Sequence, residues 1–211
     1  GPYTARMQQR IFEQLETAGL PVKESEAGQL AEYLGLMERW NIVYNLTGIT
    51  DQDEMIQRHL VESLAFKPYL HGTRIADVGS GAGLPGIPLA ITTPEREITL
   101  IESRGKRARF LRHVQGALNL TNVSVAHSRA ENLTPVPPFD TVLARAVATP
   151  PELLALTRHL LAREGILLVL TKANYQSEAA ELGENVRARR IEDPVTASLR
   201  GSLIIIETTD C

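Results

Sequence analysis

Glycines at alternate positions follow a short apolar run and form the segment of the sequence best suited to binding a ligand. The segment reads Asp-Val-Gly-Ser-Gly-Ala-Gly-Leu-Pro-Gly over residues 77–86, directly after the run 74–78. Glycine lets a chain turn sharply and lets a ligand approach the backbone closely. The G-x-G-x-G spacing differs from the G-x-G-x-x-G of dinucleotide-binding folds. We therefore expect a turn from a strand into a helix over 87–91, whose first N–H groups are free for a ligand; a tight turn without a ligand is the alternative.

Two acidic residues near this segment restrict the charge of the ligand. Asp77 precedes the first glycine, and Glu102 ends the next predicted strand, where a carboxylate suits ribose hydroxyls. Two acids repel a pyrophosphate but suit a ligand with an ammonium group and a ribose. S-adenosylmethionine is such a ligand, with an ammonium, a sulfonium, a ribose and an adenine. After the third strand, the backbone of Ala130 and Glu131 would reach the adenine edge, although Glu131 is equally explained as a solvated charge.

The residues available for methyl transfer favour a ring nitrogen as the acceptor. Displacement at a sulfonium needs the acceptor in line with the methyl group, so positioning supplies much of the catalysis. The only cysteine, Cys211, is the last residue, which argues against a cysteine adduct on pyrimidine C5. The Pro-Pro-Phe sequence at 137–139 precedes the fourth strand, whereas the loop that handles exocyclic amines follows it.

Guanine N7 carries no proton, so its methylation requires no general base. Arg145 and Lys172 end the fourth and fifth predicted strands, and either would hold a guanine at O6. We take both as candidate catalytic residues that position the base; an ordinary charge at the rim is the alternative for each.

Positive charge is local in this sequence of 211 residues, whose formal net charge is -3. Five cations with no acid among them lie close together and are the candidate RNA-binding residues: Arg104, Lys106, Arg107, Arg109 and Arg112. A local patch of this kind binds phosphates in spite of a negative total. The alternative is a solvated helix face. A second cluster, at 187–190, is more simply the solvated side of a strand.

The spacing of apolar residues divides the chain into a helical part and an alternating α/β part. Over 5–70 it predicts three helices, with Ile42 among the apolar residues of the second and Asp51 as an N-cap. From residue 74, apolar runs at 74–78, 98–101, 123–126, 141–144 and 166–170 alternate with helical patterns at 106–118 and 151–161. That order predicts βαβ units and a parallel sheet. Runs at 186–191 and 202–208, joined without a helix, predict two strands antiparallel to each other.

Composition excludes several classes of protein. Hydrophobic residues make up 43% and charged residues 22%, as in an ordinary globular chain. The apolar runs are too short to cross a membrane, and we expect no secretory signal, since the first residues do not combine a charged start with an apolar stretch. A single cysteine excludes a disulfide framework, and the five histidines show no close metal-ligand spacing. We therefore expect neither a membrane nor a metal.

Longer strings make the sequence resemble a known family. They are Trp-Asn and Asn-Leu-Thr within 40–47, Arg-His at 58–59, the glycine segment extended by Ile-Pro to 88, Glu-Ser-Arg-Gly-Lys-Arg at 102–107, Ser-Arg-Ala-Glu at 128–131 and Ala-Arg-Ala at 144–146. With these strings the chain resembles the bacterial ribosomal RNA small subunit methyltransferase G family, also called glucose-inhibited division protein B. The Gly-Leu-Pro-Gly-Ile-Pro extension is much more specific than a general methyltransferase loop.

The resemblance implies a class I S-adenosylmethionine-dependent methyltransferase. It implies an α/β fold with a Rossmann-like, mostly parallel seven-stranded sheet and an antiparallel last strand in 73–211, and an N-terminal helical cap in 1–72. It also implies methyl transfer to N7 of a guanine in 16S rRNA, at the nucleotide usually numbered 527. The candidate cofactor-binding residues are Asp77, Gly79, Ser80, Gly81, Gly83, Leu84, Glu102, Ser103, Ala130, Glu131 and Arg145, of which Gly79, Leu84, Ala130, Glu131 and Arg145 are carried over from the family's motifs.

The sequence departs from the family at two positions, with Glu102 where many relatives have Asp and Ala173 where Gly is expected after Lys172. The expected partner is 16S rRNA, free, in the small subunit or in its precursor, and we expect a cytoplasmic monomer. Two other functions stay open: a non-catalytic RNA-binding assembly factor that keeps the fold, and a nicotinamide-dependent oxidoreductase. The glycine spacing and the absence of an obvious Tyr/Lys or His catalytic set count against the oxidoreductase.

Overall fold

The computed structural model describes residues 2–135, 137–146, 148–172 and 185–208. Over this part of the chain, helices cover both faces of one seven-stranded sheet. Within the same ranges, no helix is both long and apolar enough to cross a membrane. Ala173 and Cys211, which enter the sequence predictions, lie outside the described residues.

The N-terminal part is helical, as the apolar spacing predicts. Its elements are α1 (Pro2–Thr17), α2 (Glu24–Tyr44), α3 (Gln52–Met55), a π-helical segment (Ile56–Val61) and α4 (Glu62–Leu64). The last three form one continuous helical stretch. Asp51 caps this stretch as expected, because its carboxylate accepts a hydrogen bond from the Glu54 N–H at 3.0 Å. Apolar spacing does not predict the π-helical segment.

The sheet has the predicted mixture of parallel and antiparallel strands. Its strands are β1 (Arg74–Val78), β2 (Glu97–Glu102), β3 (Val123–His127), β4 (Phe139–Ala146), β5 (Leu161–Thr171), β6 (Val186–Arg190) and β7 (Ser202–Thr208). They lie in the order β3-β2-β1-β4-β5-β7-β6. The first five pair in parallel, whereas β7 is antiparallel to both β5 and β6. The predictions of a parallel sheet, an antiparallel last strand and an antiparallel late pair are confirmed.

The strand order determines where a ligand would bind. The chain leaves β1 toward β2 on one side and returns to β4 on the other, so the connections diverge between β1 and β4. In open α/β sheets such a switch point leaves a crevice at the carboxyl ends of the strands. The glycine segment, which follows β1, and Arg145, near the end of β4, both lie at this edge.

Alternate residues of the strands pack into two apolar cores. Ile75 and Leu168 belong to the core that also holds the cap, α5 (Gly86–Thr92) and α6 (Gly105–Ala117), whereas Ala76 and Leu167 belong to the core under α7 (Pro150–Thr157). This alternation is the period of a strand buried on both faces. The cap thus shares an apolar core with one face of the sheet, and the division of the chain at residue 72 stays a prediction.

Two local expectations differ from the structure. The helix expected over 151–161 ends at Thr157, followed by a 3₁₀ turn over Arg158–Leu160, because Leu161 already pairs with Phe139 in the sheet. Ile42, expected on the apolar side of the second helix, is 86% exposed. It falls outside the three-to-four-residue spacing that buries the side chains of Leu30, Leu34 and Met37 on α2.

Candidate active site

The first two glycines of the loop border open space. Gly79 and Gly81 have φ of 70° and 58°, a left-handed backbone that side chains rarely adopt. A Cβ atom at Gly79 would have no neighbour within 4 Å, and one at Gly81 would first meet Arg107 Nη1 at 3.5 Å. These two positions therefore form a cradle whose space a larger residue would fill.

The later glycines are packed inside the protein. A Cβ atom at Gly83 would overlap Ile87, and one at Gly86 would overlap Leu100. The Gly86 N–H donates to Asp77 Oδ2 at 2.8 Å, and the Ile87 N–H donates to the Gly83 carbonyl at 2.7 Å. The expectation that the first N–H groups of α5 are free for a ligand is therefore wrong at these two residues. Leu84, a candidate from the family's motifs, is also buried.

Asp77 lies beneath the loop and not at its mouth. Its side chain is fully buried, and Oδ1 has no hydrogen-bond partner among the described residues. Burial raises the pKa of Asp77 to about 8, against the opposing effects of the Gly86 N–H and the Arg145 charge. Ser80, buried beside it, donates from Oγ to the Asp77 carbonyl at 2.9 Å. Both side chains thus fix the shape of the loop. Asp77 was predicted to contact the cofactor directly, but no atom of its side chain is exposed to a ligand in this structure.

Glu102 closes the side of the cradle at the end of β2. Its Oε1 accepts from the Gly81 N–H at 2.9 Å, and Oε2 accepts from the Arg104 N–H at 3.0 Å. These bonds fix a carboxylate that is only 4% exposed, while each oxygen keeps a second lone pair for a hydroxyl. Ser103, the next residue, is exposed. The arrangement fits the expected contact with ribose hydroxyls.

The turn after β3 supplies the last part of the predicted cofactor site. Ala130 and Glu131 lie in a 3₁₀ turn over Ala130–Asn132, with Ala130 buried and Glu131 exposed. The His159 Nε2–H donates to the Ala130 carbonyl at 2.9 Å and links this turn to the 3₁₀ turn that follows α7. His159 thus has the structural role that its lack of metal-ligand spacing suggests.

Arg145 and Lys172 line one cavity, as expected for the ends of neighbouring strands. The cavity has a volume of about 800 Å³ and lies between the cap and the carboxyl ends of β4 and β5. Both side chains are exposed. The Arg145 charge lowers the pKa of His59 in the cap and opposes the rise in the pKa of Asp77 under the loop. Arg145 therefore lies within electrostatic range of the cavity and of the glycine loop.

The cap contributes residues to this cavity that the residue-by-residue reasoning did not select. Arg58 and His59, on the π-helical segment, line it together with Thr47, Glu62 and Arg200. His59 Nε2 lies 3.1 Å from Thr47 Oγ1. Burial, with the charges of Arg145 and Arg58, lowers the pKa of His59 to about 4, so its ring is neutral at pH 7. The Arg-His string in the family resemblance was the available signal.

The five candidate RNA-binding cations divide into two groups. Lys106, Arg109 and Arg112 are exposed on α6, and Lys106 Nζ lies 5.9 Å from the centre of the Tyr44 ring. This outer group faces away from the buried side of α6, where Ala108 and Phe110 lie. Arg107 is half-buried with its guanidinium beside Gly81, and the Arg104 backbone binds Glu102. These last two lie next to the cofactor cradle.

Among the described residues, no group of three or more histidines, cysteines or acids is placed to hold a metal ion. The strand order, the glycine loop after β1 and the fixed carboxylate after β2 define the class of the protein: a class I, S-adenosylmethionine-dependent methyltransferase fold.

The family follows from two comparisons. The family model described as rRNA small subunit methyltransferase G matches residues 26–203. A ribosomal RNA small subunit methyltransferase G from Salmonella arizonae is 39% identical over 204 residues, which cover 96% of this chain and 99% of the relative. One from Klebsiella pneumoniae is 43% identical over 178 residues, covering 84% and 86%. The chain belongs to the rRNA small subunit methyltransferase G family, and the resemblance seen in the sequence is confirmed.

Solved structures agree on the fold. The cofactor-bound structure of Rv0187 from MTB matches with a TM-score of 0.58 at 16% identity, covering 87% of this chain and 90% of that one. A SAM-dependent methyltransferase from Aquifex aeolicus matches with a TM-score of 0.53 at 13% identity, covering 77% and 100%. Together with the family, these matches support S-adenosylmethionine as the cofactor. Nothing in them favours a nicotinamide-dependent oxidoreductase.

Proposed function

We propose that this chain transfers a methyl group from S-adenosylmethionine to N7 of a guanine in 16S rRNA, at the nucleotide usually numbered 527. Membership of an rRNA methyltransferase family supplies the reaction class. The observation that carries the finer proposal is the position of Arg145. It lines the cavity at the end of β4, and its charge acts on Asp77 beneath the glycine loop. One side chain thus connects a cofactor cradle with a space for a substrate.

The residues of the cradle fit S-adenosylmethionine. Gly79 and Gly81 leave room for a ligand against the backbone, and the fixed Glu102 carboxylate keeps lone pairs for ribose hydroxyls. The exposed Ser103 and Glu131 and the backbone at Ala130 complete the rim on the sides of β2 and β3. When bound, the cofactor supplies an electrophilic methyl group on a sulfonium.

The groups beside the cavity fit guanine N7 as the acceptor. The N7 lone pair forms the new bond to carbon while the sulfonium C–S bond breaks, and no proton leaves the base. The protein therefore needs to hold the base and not to deprotonate it. Guanidinium and ammonium donors are suited to guanine O6, and Arg145 and Lys172 both line the cavity. We assign these two residues to base positioning, with Arg145 also serving the cofactor side.

The exposed cations of α6 provide the RNA-binding surface in this proposal. Lys106, Arg109 and Arg112 form a row at helical spacing on α6, and Lys106 lies near the ring of Tyr44, which packs against Trp40 at the end of α2. Cations bind phosphates without regard to sequence, and aromatic rings stack on unpaired bases. This surface suits a folded RNA with exposed loop bases.

Labelled S-adenosylmethionine and small subunits that lack the modification test the proposal directly. We expect one label per subunit, and borohydride and aniline treatment should cut the 16S rRNA at that guanine, because methylation at N7, unlike methylation at the exocyclic amine, makes a guanine sensitive to reduction. A label on another atom or nucleotide contradicts the assignment. If the chain binds the cofactor but transfers no label to free rRNA, particles or subunits, the result favours the assembly-factor alternative.

A thermal shift experiment checks the cofactor alone. At about 100 times its dissociation constant, a ligand adds about 2.7 kcal/mol to the free energy of unfolding. We expect this stabilisation with S-adenosylmethionine and none with NAD. Stabilisation by NAD in place of S-adenosylmethionine would overturn the cofactor assignment.

A further inference from the structure

The cavity beside Arg145 has the size of a site for a small ligand. Its volume of about 800 Å³ lies in the range of ligand pockets, about 300–1,000 Å³. Its walls come from the cap on one side and from the ends of β4 and β5 and the turn before β7 on the other. The cap is therefore one wall of a site and not only a cover for the sheet.

The charge of the walls indicates an anionic ligand. Four cations line the cavity, Arg58, Arg145, Lys172 and Arg200, together with the acids Glu54 and Glu62. Glu54 already accepts from Arg58, with 3.5 Å between Oε1 and Nη1. Burial raises the pKa of Glu62, against the opposing charges of the same four cations. The excess positive charge suits a nucleotide and disfavours a second cationic cofactor.

Arg58 is placed to recognise a base and not merely to attract a phosphate. Its side chain is 29% exposed, and its Nε is buried without a hydrogen-bond partner among the described residues. The π-helical segment that carries Arg58 also carries His59. The charges of Arg145 and Arg58 both lower the pKa of this histidine, and its ring is neutral at pH 7. Single-turn π segments within α-helices are frequent at functional sites. A partly buried guanidinium with an unused donor suits recognition of a base, whose acceptor would complete its hydrogen bonding.

Arg200 lies where the cavity continues. A second cavity of about 340 Å³ shares Glu54, Arg58, Glu62 and Arg200 with the first. Arg200 is exposed, in contrast to the partly buried Arg58. An exposed cation that lines two adjoining cavities suits the backbone of a chain that lies across both.

Resting on the proposed function, we propose that the larger cavity receives the target guanosine turned out of the RNA. Arg58 of the cap then binds the base together with Arg145, and Arg200 binds a neighbouring phosphate. Enzymes that modify a base commonly take it out of its stack and read it in a pocket. Donors at guanine O6 leave N7 unobstructed for the methyl group.

Kinetics with small subunits test the assignment. We expect Arg58→Gln to lower kcat/KM for RNA about 10- to 100-fold, the cost of one lost charged hydrogen bond to guanine O6, with the dissociation constant of S-adenosylmethionine unchanged. Arg58→Lys should not restore the rate, because a compact ammonium on a flexible stem does not keep the fixed planar geometry of the guanidinium. Arg200→Gln should raise KM with kcat unchanged and reduce the slope of log affinity against log salt by about one. Arg163→Gln, exposed near the amino end of β5 at the opposite edge of the sheet, is the control without an effect.

Three outcomes overturn the assignment. They are a kcat/KM of Arg58→Gln within twofold of wild type, full rescue by Arg58→Lys, and equal loss of cofactor and RNA binding in either variant. If Arg58→Gln does not fold, the lysine variant decides. Filter binding of the same RNA to all variants separates this inference from the proposed function. RNA binding that depends on Arg58 and Arg200 without any methyl transfer would contradict the reaction and keep the cavity as an RNA site.

Discussion

The glycine loop and the adjoining cavity each lie against a buried side chain whose pKa is strongly shifted by burial, and the two side chains are of opposite kind. Asp77 under the loop is an acid, and burial raises its pKa to about 8. His59 beside the cavity is a base, and burial lowers its pKa to about 4. In both places burial disfavours the charged form of the side chain, while the guanidinium groups of Arg58, Arg145 and Arg200 line the cavity.

The difference separates the two ligands by charge. A cationic cofactor is drawn toward the side of Glu102, and an RNA anion toward the side of Arg58 and Arg200. Arg145 lies between the two sides and influences Asp77 and His59 alike. The reaction as proposed needs both ligands to meet, and this residue lies where they would do so.

The largest expected effect is a loss of cofactor affinity that leaves RNA binding unchanged. Gly81→Val places a branched side chain in the cradle at a φ of 58°, so both space and backbone oppose it. We expect at least a hundredfold loss of S-adenosylmethionine affinity by calorimetry, with RNA binding retained. Gly116→Val, on the exposed side of α6 where a Cβ atom meets nothing within 4 Å, is the matched control. Unchanged cofactor affinity in Gly81→Val would refute the cradle.

The opposite pKa shifts predict opposite pH dependences of stability. Asp77 retains its proton in the folded chain up to about pH 8, whereas its ordinary pKa is 3.8. The folded state then binds more protons than the unfolded state, and its stability falls as pH rises across that window, by about 1.4 kcal/mol per pH unit. Asp77→Asn keeps an acceptor for the Gly86 N–H and removes the ionisation. We expect its advantage over wild type in urea unfolding to grow from pH 4 to 8.

The ionisation of His59 gives stability the opposite dependence on pH. Its pKa falls from 6.5 to about 4 on folding, so the unfolded state binds more protons and stability is lost as pH falls through this window. His59→Gln should therefore gain on wild type between pH 6.5 and 4, by at most about 3 kcal/mol. The same urea measurements serve both variants. Parallel curves for either variant and wild type would show that the residue does not titrate as described.

A smaller effect is expected on the RNA side. Lys106→Glu combined with Arg109→Glu reverses two exposed charges on α6. Losing two phosphate contacts should reduce the slope of log RNA affinity against log salt by about 1.5 and leave cofactor affinity unchanged. The same exchange at Arg187 and Arg189, exposed on β6, is the comparison. An equal loss from both pairs would mean that binding depends on total charge and not on this surface.

Most strands were predictable because they contain short apolar runs, as burial on both faces requires, whereas β6 alternates buried and exposed residues as a strand with one solvated side does. The run 74–78 corresponds to β1 residue for residue. The roles of individual loop residues could not be predicted in the same way. Gly79 and Gly83 look alike in the sequence, but Gly79 borders open space, whereas Gly83 packs against Ile87. The role of Asp77 was likewise not predictable from its residue type. Its carboxylate is suited to a ligand, yet the fold turns it inward to Gly86.

The sequence also did not predict which residues from distant parts of the chain line the loop and the cavity. Arg107 appears in a run of cations, but only the packing of α6 places its guanidinium beside Gly81. Arg58 lines the cavity from the π-helical segment between α3 and α4, and apolar spacing does not predict that segment. Arg200 joins it through the turn before β7, well over 100 positions along the chain.

The smallest predicted effect tests whether the cap supports the loop. The Tyr33 hydroxyl on α2 donates to the Ala82 carbonyl at 2.6 Å, and burial raises the pKa of Tyr33 so that the donor keeps its proton. Tyr33→Phe leaves that buried carbonyl without this donor, which should cost about 1 kcal/mol of stability and a few-fold in cofactor affinity. Tyr44→Phe, on the same helix but half-exposed, should change neither quantity. Lower stability with unchanged affinity would mean that the cap holds the fold together without shaping the cradle.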